Sequence, residues 1–580
     1  MSSRCLRFIN ARFILLFLMS VACLLFMHWQ MALTVEFEYP FKIDSLFSNI
    51  FSCFIDVTAI FLLGLLITLG RVKGALLISF IGSMLLSFCN VIYSRFFEHY
   101  LPNLAILQIG NLNDADVMRS VGTGFRPIDL FYVIWAILFC LLYIRFSKKD
   151  IKKNYVRTLG AIWGVLIFLV ASFIIALGVL HDHSVKTSFI RFSPLRVQYT
   201  QAPNNMLFRS GFIRRAMVCY EDFLQKEMKL DDSQIQEIQD EYLDHTERTV
   251  NDRSLREDVN LIFIIVESYM AATSDLIVDG KEITPFLNRL KRDSCVYYNG
   301  HVRPNINIGE SSDGQFIYMS GLLPLKSEIT VNIVKDKTVC GLPALLKAQG
   351  RIKESHITVP TSPTFWEQDA MNRLYGIENM YSKFDWDDTL NGNEDLNDEQ
   401  IFTIASKADA RTEGPFLSLI LTMSMHNPYK KSVEHGFTLN DDRLSTEYLN
   451  YLVDCHYFDM QLERYFDKLK ENGIYDNSLI VITADHNAHP VHLNMEESLI
   501  SDELPLYIIH GGEIMTDAWT GTCNQLDVYT TLLDIYGINT EWRGLGHTLL
   551  KKDYSNSVSE KTQTLSEWII RSNYWQTLTR

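Results

Sequence analysis

Residues 479–490 read LIVITADHNAHP, a stretch in which a strand-like run stops abruptly at polar side chains. Positions 480–483 are all β-branched, the composition of a strand that is buried on both faces of a sheet. Asp485 and His486 follow at once, so they must lie at the end of that strand. An ordinary explanation stays open, in which Asp485 caps the next turn and His486 faces solvent. Other parts of the sequence are needed to distinguish a ligand-binding site from an ordinary turn.

The same arrangement recurs in the second half of the chain. VNLIFIIV precedes Glu267, and FLSLILTMS is followed shortly by His426. Helical stretches separate these strands, which predicts a doubly wound α/β sheet. Ligands of such sheets bind beyond the carboxyl ends of the strands, where Glu267, His426 and the Asp485–His486 pair all fall. Two carboxylates and an imidazole at one edge of a sheet are suitable ligands for Mn²⁺ or Zn²⁺.

A candidate nucleophile lies in NINIGESSDGQF, residues 305–316. Ser311 and Ser312 stand just before an apolar run that we expect to be a helix, and hydroxyls at a helix N-terminus are well placed beside an anionic group. The alternative is that both serines merely cap this helix. The neighbouring metal-ligand pattern favours the nucleophile.

The first part of the chain has a different composition from the rest. The whole sequence has 580 residues and a mean hydropathy of +0.04 with 21% charged residues, which is apolar for a soluble protein of that charge content. Five apolar stretches of about 20 residues, the length that spans a bilayer, lie near the N-terminus. They cover residues 12–35, 49–70, 75–98, 127–146 and 157–181. The first follows three arginines but lacks a small-residue cleavage site, so we interpret it as an uncleaved anchor.

The charges of the connecting loops predict an orientation in the membrane. The N-terminus, the turn with Arg71 and Lys73, and the loop 145–157 are basic, whereas the loops between them are acidic or mixed. Basic loops stay in the cytoplasm, so five spans place the remainder of the chain on the outer or periplasmic face of the cell membrane. We expect four segments: a transmembrane domain (1–181), a helical linker (182–258), an α/β domain (259–550) and a C-terminal tail (551–580).

These residues resemble the lipoteichoic acid synthases and membrane phosphoglycerol transferases of the alkaline-phosphatase superfamily. The resemblance runs over nearly the whole chain, and together its motifs are specific. They are FIIVESYM, GESSDGQF, TFWEQDAMNRLYG, MSMHNPY, YFDMQLERYFDKLKENGIYDNSLIVITADH and LDVYTTLLDIYGI. The resemblance implies a sulfatase-like α/β catalytic domain behind a five-helix membrane domain. The sulfatases that use a modified cysteine need Cys-x-Pro-Ser-Arg, which this chain lacks.

The resemblance also implies roles for individual residues. A single divalent metal, with manganese preferred over magnesium or zinc, would be held by Glu267, Asp485 and His486, and also touched by Ser311. Ser311 stands at the position of the family's threonine nucleophile.

Four more positions are carried over for the substrate. His426, His356 and Trp366 match positions that contact a phosphoglycerol headgroup, and His426 would also be catalytic, protonating a leaving group or holding a phosphate oxygen. Gln368 stands where lipoteichoic acid synthases have a headgroup-binding arginine. Glu310 stands where the family often has lysine, so the site is expected to be less cationic.

The expected function is transfer of a phosphoglycerol headgroup from a membrane phospholipid to a glycan or glycolipid acceptor of the cell envelope, through a phospho-serine. Phosphoethanolamine transfer, phosphodiester hydrolysis and a non-catalytic scaffold stay open as alternatives. No nucleic-acid partner is expected. The acceptor and the pairing of any disulfide are not predicted.

Overall fold

The computed structural model describes most of the chain in several stretches. They are residues 11–32, 43–97, 99–102, 124–145, 208, 211–212, 228–247, 258–386, 395–427, 429, 433–495, 500 and 502–578. The chain divides into two compact units, and we describe each by itself. The described residues up to 212 belong to the first, and those from 228 onward belong to the second.

The first unit is helical. Four helical stretches of 19 to 24 residues in it are long and apolar enough to cross a membrane. The helices that form them are α1 (Ala11–Met31), α2 (Ile43–Ile67), α3 (Val72–Phe97) and α4 (Leu130–Arg145), the last of which is extended at its start by a 3₁₀ turn (Pro127–Asp129). They correspond to the first four predicted spans. The fifth predicted span, 157–181, lies outside the described residues.

A buried ion pair stabilises one end of this helical unit. Both terminal nitrogens of Arg95 donate to the Asp129 carboxylate at 2.7 Å, and one of them also donates to Gln30 Oε1 at 2.7 Å. A charged group inside an apolar helix bundle is costly unless it is paired, and the two parallel hydrogen bonds meet that requirement.

The second unit contains a mixed sheet of eight strands in the order β10-β4-β9-β8-β1-β7-β5-β6, with β2 and β3 forming a separate hairpin. The strands are β1 (Asn260–Val266), β2 (Ile277–Val278), β3 (Lys281–Glu282), β4 (Val296–Arg303), β5 (Glu354–Thr358), β6 (Asn379–Tyr381), β7 (Phe416–Leu421), β8 (Ser478–Ala484), β9 (Leu504–Ile509) and β10 (Cys523–Asn524). Every residue of β1 and β8 is buried, as expected for central strands covered on both faces.

Helices surround this sheet. They are α5 (Asp232–Glu247), α6 (Pro285–Leu290), α7 (Ser311–Ser320), α8 (Thr330–Val334), α9 (Leu342–Ala348), α10 (Gln368–Tyr375), α11 (Asp398–Asp409), α12 (Thr446–Glu471), α13 (Pro490–Leu493), α14 (Leu526–Ile535), α15 (Glu560–Ser572) and α16 (Trp575–Leu578). The doubly wound α/β arrangement agrees with the sequence-based prediction, although β9 runs antiparallel to both of its neighbours, β4 and β8.

The second unit extends past both boundaries predicted for the α/β domain. Ile569 and Trp575, from the segment predicted to be a tail, are buried in the main hydrophobic core, where the Trp575 ring packs edge-on against Trp542. Ile238, from the predicted linker, is buried in the same core. Helices α15 and α16 are therefore part of the domain, because removing them would expose core side chains to water.

Candidate metal and catalytic site

The strand register aligns two carboxylates at one edge of the sheet. In the parallel pair of β1 and β8, Val266 lies opposite Ala484, so Glu267 and Asp485 each follow the last residue of their strand at the same level. The Asp485 backbone N–H donates to the Val266 carbonyl at 3.1 Å. Both carboxylates are buried. The sheet itself, rather than a flexible loop, therefore sets their separation.

His486 completes a group of three residues that could bind a metal ion. Its Nδ1 lies 2.9 Å from the Asn487 carbonyl oxygen, to which it donates when the ring is neutral. Its Nε2 lies 3.6 Å from Asp485 Oδ2 and 3.8 Å from Glu267 Oε1. One ligand atom from each of the three residues lies within 4.8 Å of the others. The carbonyl contact thus fixes which ring nitrogen is available as a ligand.

Ser311 begins helix α7, and its hydroxyl lies against this group. Ser311 Oγ is 3.2 Å from Glu267 Oε2 and 3.2 Å from His486 Nε2. Ser312 is used differently, because its hydroxyl donates to the Gly309 carbonyl at 2.6 Å. Asp313 accepts hydrogen bonds from the backbone N–H groups of Asn307 and Gly309, at 3.0 and 2.9 Å, and so holds the preceding loop.

A glycine lets helix α7 come this close to the end of β8. A Cβ atom at position 314 would lie 2.5 Å from the Asp485 carbonyl oxygen, which is nearer than a side chain can approach backbone. From the other side, Gln525 Nε2 donates to the same carbonyl at 2.6 Å. The backbone at Asp485 is therefore held between α7 and the start of α14.

The charges of the group act on one another strongly. Burial, and then the negative charge of Glu267, raises the pKa of Asp485 to about 7. Burial opposes the charged form of His486, but Asp485 and Glu267 outweigh it and raise its pKa to about 9. For Glu267 the positive charges of His426 and His486 overcome burial and lower its pKa. The group therefore attracts positive charge.

The donor set fits a divalent cation. It offers two carboxylates, one imidazole and one hydroxyl, all hard or borderline ligands with no thiol among them. Such ligands suit manganese, magnesium or zinc. A divalent cation would supply the positive charge that two adjacent buried carboxylates require.

The structure places His426 beside this group. His426 follows β7, is exposed, and donates from Nδ1 to the Asn427 carbonyl at 2.6 Å when its ring is neutral. It is near enough to Glu267 to lower the pKa of that carboxyl. Its ring is therefore accessible to solvent and close enough to act electrostatically on Glu267.

His356 is not brought to the site. It lies within strand β5 and is buried, and its Nε2 lies 2.8 Å from Asp409 Oδ1. The Tyr465 hydroxyl bonds to the other oxygen of the same carboxylate at 2.5 Å. This buried hydrogen-bond network occupies the imidazole, so we withdraw His356 from the proposed headgroup contacts.

Trp366 and Gln368 lie in one segment but differ in exposure. Trp366 is half-buried, and it and Glu367 both have positive φ angles, of 50° and 54°. Gln368 is only 6% exposed, and its Nε2 donates to Asn372 Oδ1 at 2.7 Å. The Gln368 side chain therefore has a partner within its own helix, whereas Trp366 keeps a solvent-accessible surface.

Several supporting residues escaped the sequence analysis. Ser268 donates from its hydroxyl to Glu267 Oε1 at 2.8 Å and from its backbone N–H to Asp485 Oδ1 at 2.9 Å. Thr422, which follows β7, accepts from the Glu267 backbone N–H at 3.0 Å. Ser268 could have been identified from the sequence, because it directly follows Glu267. No sequence signal links Thr422 or Gln525 to the site, since they meet it only through tertiary packing.

Comparison with known proteins agrees with both units. The family described as Sulfatase matches residues 259–538, and the family described as Lipoteichoic acid synthase N-terminal domain matches residues 2–191. After the first residue, the two matches together leave only residues 192–258 and 539–580 uncovered. With the four apolar helices, they make this chain a multi-pass membrane protein.

Individual relatives cover most of the chain. Lipoteichoic acid synthase from Staphylococcus aureus (strain USA300) is 26% identical over 522 residues, covering 84% of this chain and 76% of that protein. The integral membrane lipooligosaccharide phosphoethanolamine transferase A from Neisseria meningitidis is 16% identical, with a TM-score of 0.52 over 91% of this chain and 95% of that chain. The latter similarity shows that the two share a fold.

A crystal structure of the lipoteichoic acid synthase LtaP from Listeria monocytogenes has a TM-score of 0.45 and 19% identity, covering 54% of this chain and 81% of that chain. The two family matches and the curated relatives agree with the motifs found in the sequence. The chain is therefore similar to the lipoteichoic acid synthases in both parts: its first part matches their N-terminal domain family, and its second part matches the Sulfatase family.

Proposed function

We propose that this protein transfers a phosphoglycerol headgroup from a membrane phospholipid to a glycan or glycolipid of the cell envelope. The observation that carries the proposal is the contact of Ser311 Oγ with both Glu267 and His486 at 3.2 Å. A hydroxyl held against a metal-ligand group is the arrangement that nucleophilic transfer of a phosphoryl group requires. Similarity to a lipoteichoic acid synthase supports the choice of headgroup.

Transfer would proceed in two displacements. In the first, Ser311 Oγ forms a bond to phosphorus while the bond from phosphorus to the diacylglycerol oxygen breaks. The serine proton leaves toward Glu267 Oε2, the acceptor that the hydroxyl contacts. His426, whose ring is accessible to solvent, protonates the departing diacylglycerol oxygen. In the second, the acceptor oxygen forms a bond to phosphorus while the bond from phosphorus to Ser311 Oγ breaks. The proton of the acceptor hydroxyl passes to His426, which the first step left neutral, and Ser311 Oγ takes back the proton held by Glu267.

Glu267, Asp485, His486 and Ser311 would hold one divalent metal, manganese by preference. When bound, the metal would favour ionisation of the serine and offset charge on the phosphate oxygens. Trp366 would contribute an apolar surface to the headgroup or the acceptor, since it is half-buried and keeps an accessible face.

Gln368 stands where lipoteichoic acid synthases have a headgroup-binding arginine, and its side chain is hydrogen-bonded to Asn372. Phosphoethanolamine transfer and phosphodiester hydrolysis are therefore tested together with phosphoglycerol transfer. Of the three, only hydrolysis uses water as the acceptor.

The test compares Ser311→Ala with Ser312→Ala in the full-length protein. Each is incubated with phosphatidylglycerol or phosphatidylethanolamine, quenched with acid and mapped by mass spectrometry. We expect a phosphoglycerol adduct on Ser311, its absence in Ser311→Ala, and a loss of turnover of about a thousandfold or more in that variant. Ser312→Ala is the matched control, because that hydroxyl bonds to the Gly309 carbonyl instead of the ligand group.

Other outcomes would separate the alternatives. An adduct formed only from phosphatidylethanolamine would show that the transferred headgroup is phosphoethanolamine instead of phosphoglycerol. Release of free glycerol phosphate without transfer would indicate a phosphodiesterase. Turnover that persists in Ser311→Ala would overturn the mechanism, and no turnover with any donor would favour a scaffold.

We also infer that the N-terminus is cytoplasmic and that the catalytic unit faces the outside of the cell or the periplasm. Loop charges support this orientation. It places Ser311 on the side of the membrane where envelope acceptors are found.

A further inference from the structure

A second group of potential ligands adjoins the first. Glu310, His486 and His489 each offer one ligand atom within 4.8 Å of the others. Glu310 Oε2 lies 3.2 Å from His489 Nε2, and the two side chains are only 10% and 18% exposed. A separation of about 3–4 Å is what two ligands have when each lies about 2.1 Å from a common metal ion.

The backbone brings these two residues together from opposite sides. Glu310 immediately precedes α7 and has φ 46° and ψ −123°, a conformation that residues with a Cβ atom rarely adopt. His489 immediately precedes α13, and its ring centre lies 5.7 Å from that of His486. The pair therefore lies directly beside the ligand group that contains Ser311.

Three carboxylates meet at this place. Glu267, Asp485 and Glu310 all lie close enough to His486 to favour its charged form. One divalent ion neutralises two of them. Glu310 then needs a positive partner of its own, either a protonated His489 or a second cation, before a negatively charged phosphodiester can approach.

We propose that Glu310 and His489 hold a second divalent cation beside the first, whose remaining coordination positions are taken by water or by phosphate oxygens of the substrate. His486 does not serve both ions, because its Nδ1 is engaged by the Asn487 carbonyl and only Nε2 is available. The second ion would hold the phosphate oxygens in line for attack by Ser311. This inference rests on the proposed function, since it extends the same site.

A simpler account of the pair is a protonated His489 bonded to the Glu310 carboxylate without any metal. The two accounts differ in metal content. The experiment uses full-length protein that is stripped with chelator, dialysed against Mn²⁺ alone and analysed by mass spectrometry for bound metal. We expect about two Mn²⁺ per chain in the wild type, and about one in His489→Ala and in Glu310→Gln.

Electron paramagnetic resonance gives a readout that does not depend on counting. Two Mn²⁺ ions within about 4 Å of each other couple magnetically, so the wild type should show a coupled spectrum and His489→Ala the spectrum of an isolated ion. Glu310→Gln keeps the shape of the side chain, so its loss of the second ion cannot be attributed to a cavity.

His301→Ala provides the matched control, because His301 Nδ1 lies 2.9 Å from Glu503 Oε2 in a more exposed histidine–carboxylate pair of the same unit. It should leave both metal content and spectrum unchanged. A single Mn²⁺ in the wild type, or two in His489→Ala, would overturn the second site and leave the proposed function intact. A single Mn²⁺ that survives Asp485→Ala but not His489→Ala would count against the proposed first site instead.

Discussion

Asp398 shows how a single buried charge near the site affects stability. It is fully buried, and its Oδ1 accepts hydrogen bonds from the backbone N–H groups of Met423 and Ser424 at 2.8 and 3.1 Å. Burial nevertheless raises its pKa from the ordinary value of 3.8 to about 6. The folded state therefore holds the Asp398 proton more tightly than the unfolded state does.

The sign of the pH effect follows from this shift. Between pH 3.8 and about 6 the folded state binds more protons at Asp398, so this residue's contribution to stability is present at low pH and is lost as the pH rises. Asp398→Asn removes that dependence. The free energy of unfolding of the wild type should fall relative to the variant by about 2–3 kcal/mol over this interval.

The measurement is the melting temperature of the full-length protein at a series of pH values from 4 to 7, in the wild type and in Asp398→Asn. Asp467→Asn, at an exposed position of α12, is the control and should follow the wild type. A wild-type and variant difference that stays constant with pH would show that Asp398 keeps its ordinary acidity.

At the scale of elements, the approach of α7 to the end of β8 is the contact on which the site depends. Helix α7 carries Ser311, and β8 leads into Asp485 and His486. Gly314 is the point of closest approach. The reason for a glycine inside this helix is therefore the space that the Asp485 backbone needs.

Gly314→Ala tests this contact, because two effects of opposite sign compete. Alanine inside a helix is ordinarily more favourable than glycine by about 0.5–1 kcal/mol. Overlap with backbone costs about 1–3 kcal/mol, so we expect a net loss of stability. We also expect turnover to fall at least about tenfold, because Ser311 is displaced. Thermal unfolding and a transfer assay measure the two. A variant that is more stable and fully active would show that α7 can move away freely.

At the scale of the whole molecule, the number of membrane spans decides where the catalytic unit lies. The four apolar helices that the structure describes would return the chain to the side on which it began. The predicted fifth span, 157–181, would carry the chain across, and it lies outside the described residues. The proposed orientation therefore depends on that segment.

Cys295 gives a direct test of orientation. It is a free, exposed thiol of the second unit, whereas Cys340 of the same unit is free but buried. A maleimide that cannot cross membranes should modify Cys295 in intact cells whose outer layers have been opened, as judged by mass spectrometry of its peptide. Cys340 should remain unmodified until the protein is denatured. Labelling of Cys295 only after the cell membrane is permeabilised would reverse the orientation.

The sequence alone determined the central strands and the polar residues that follow them. The predicted strand 478–484 coincides with β8, and 259–266 differs from β1 by one residue. Strands buried on both faces have continuous apolar runs, so their ends are visible without a structure. Glu267, Asp485 and His486 could be placed at one edge for that reason, and Ser311 could be placed at a helix start. Strand β4 was not predicted.

Tertiary structure alone decided which of the other polar residues join the site. His356 and Gln368 are buried against Asp409 and Asn372, and nothing in their local sequence distinguishes them from exposed ligands. Glu310 and His489, 179 positions apart, meet only because α7 packs onto the end of β8. The physical reason is the same throughout. Local sequence patterns record the periodicity of one element, whereas partners from distant elements depend on packing that no single segment contains.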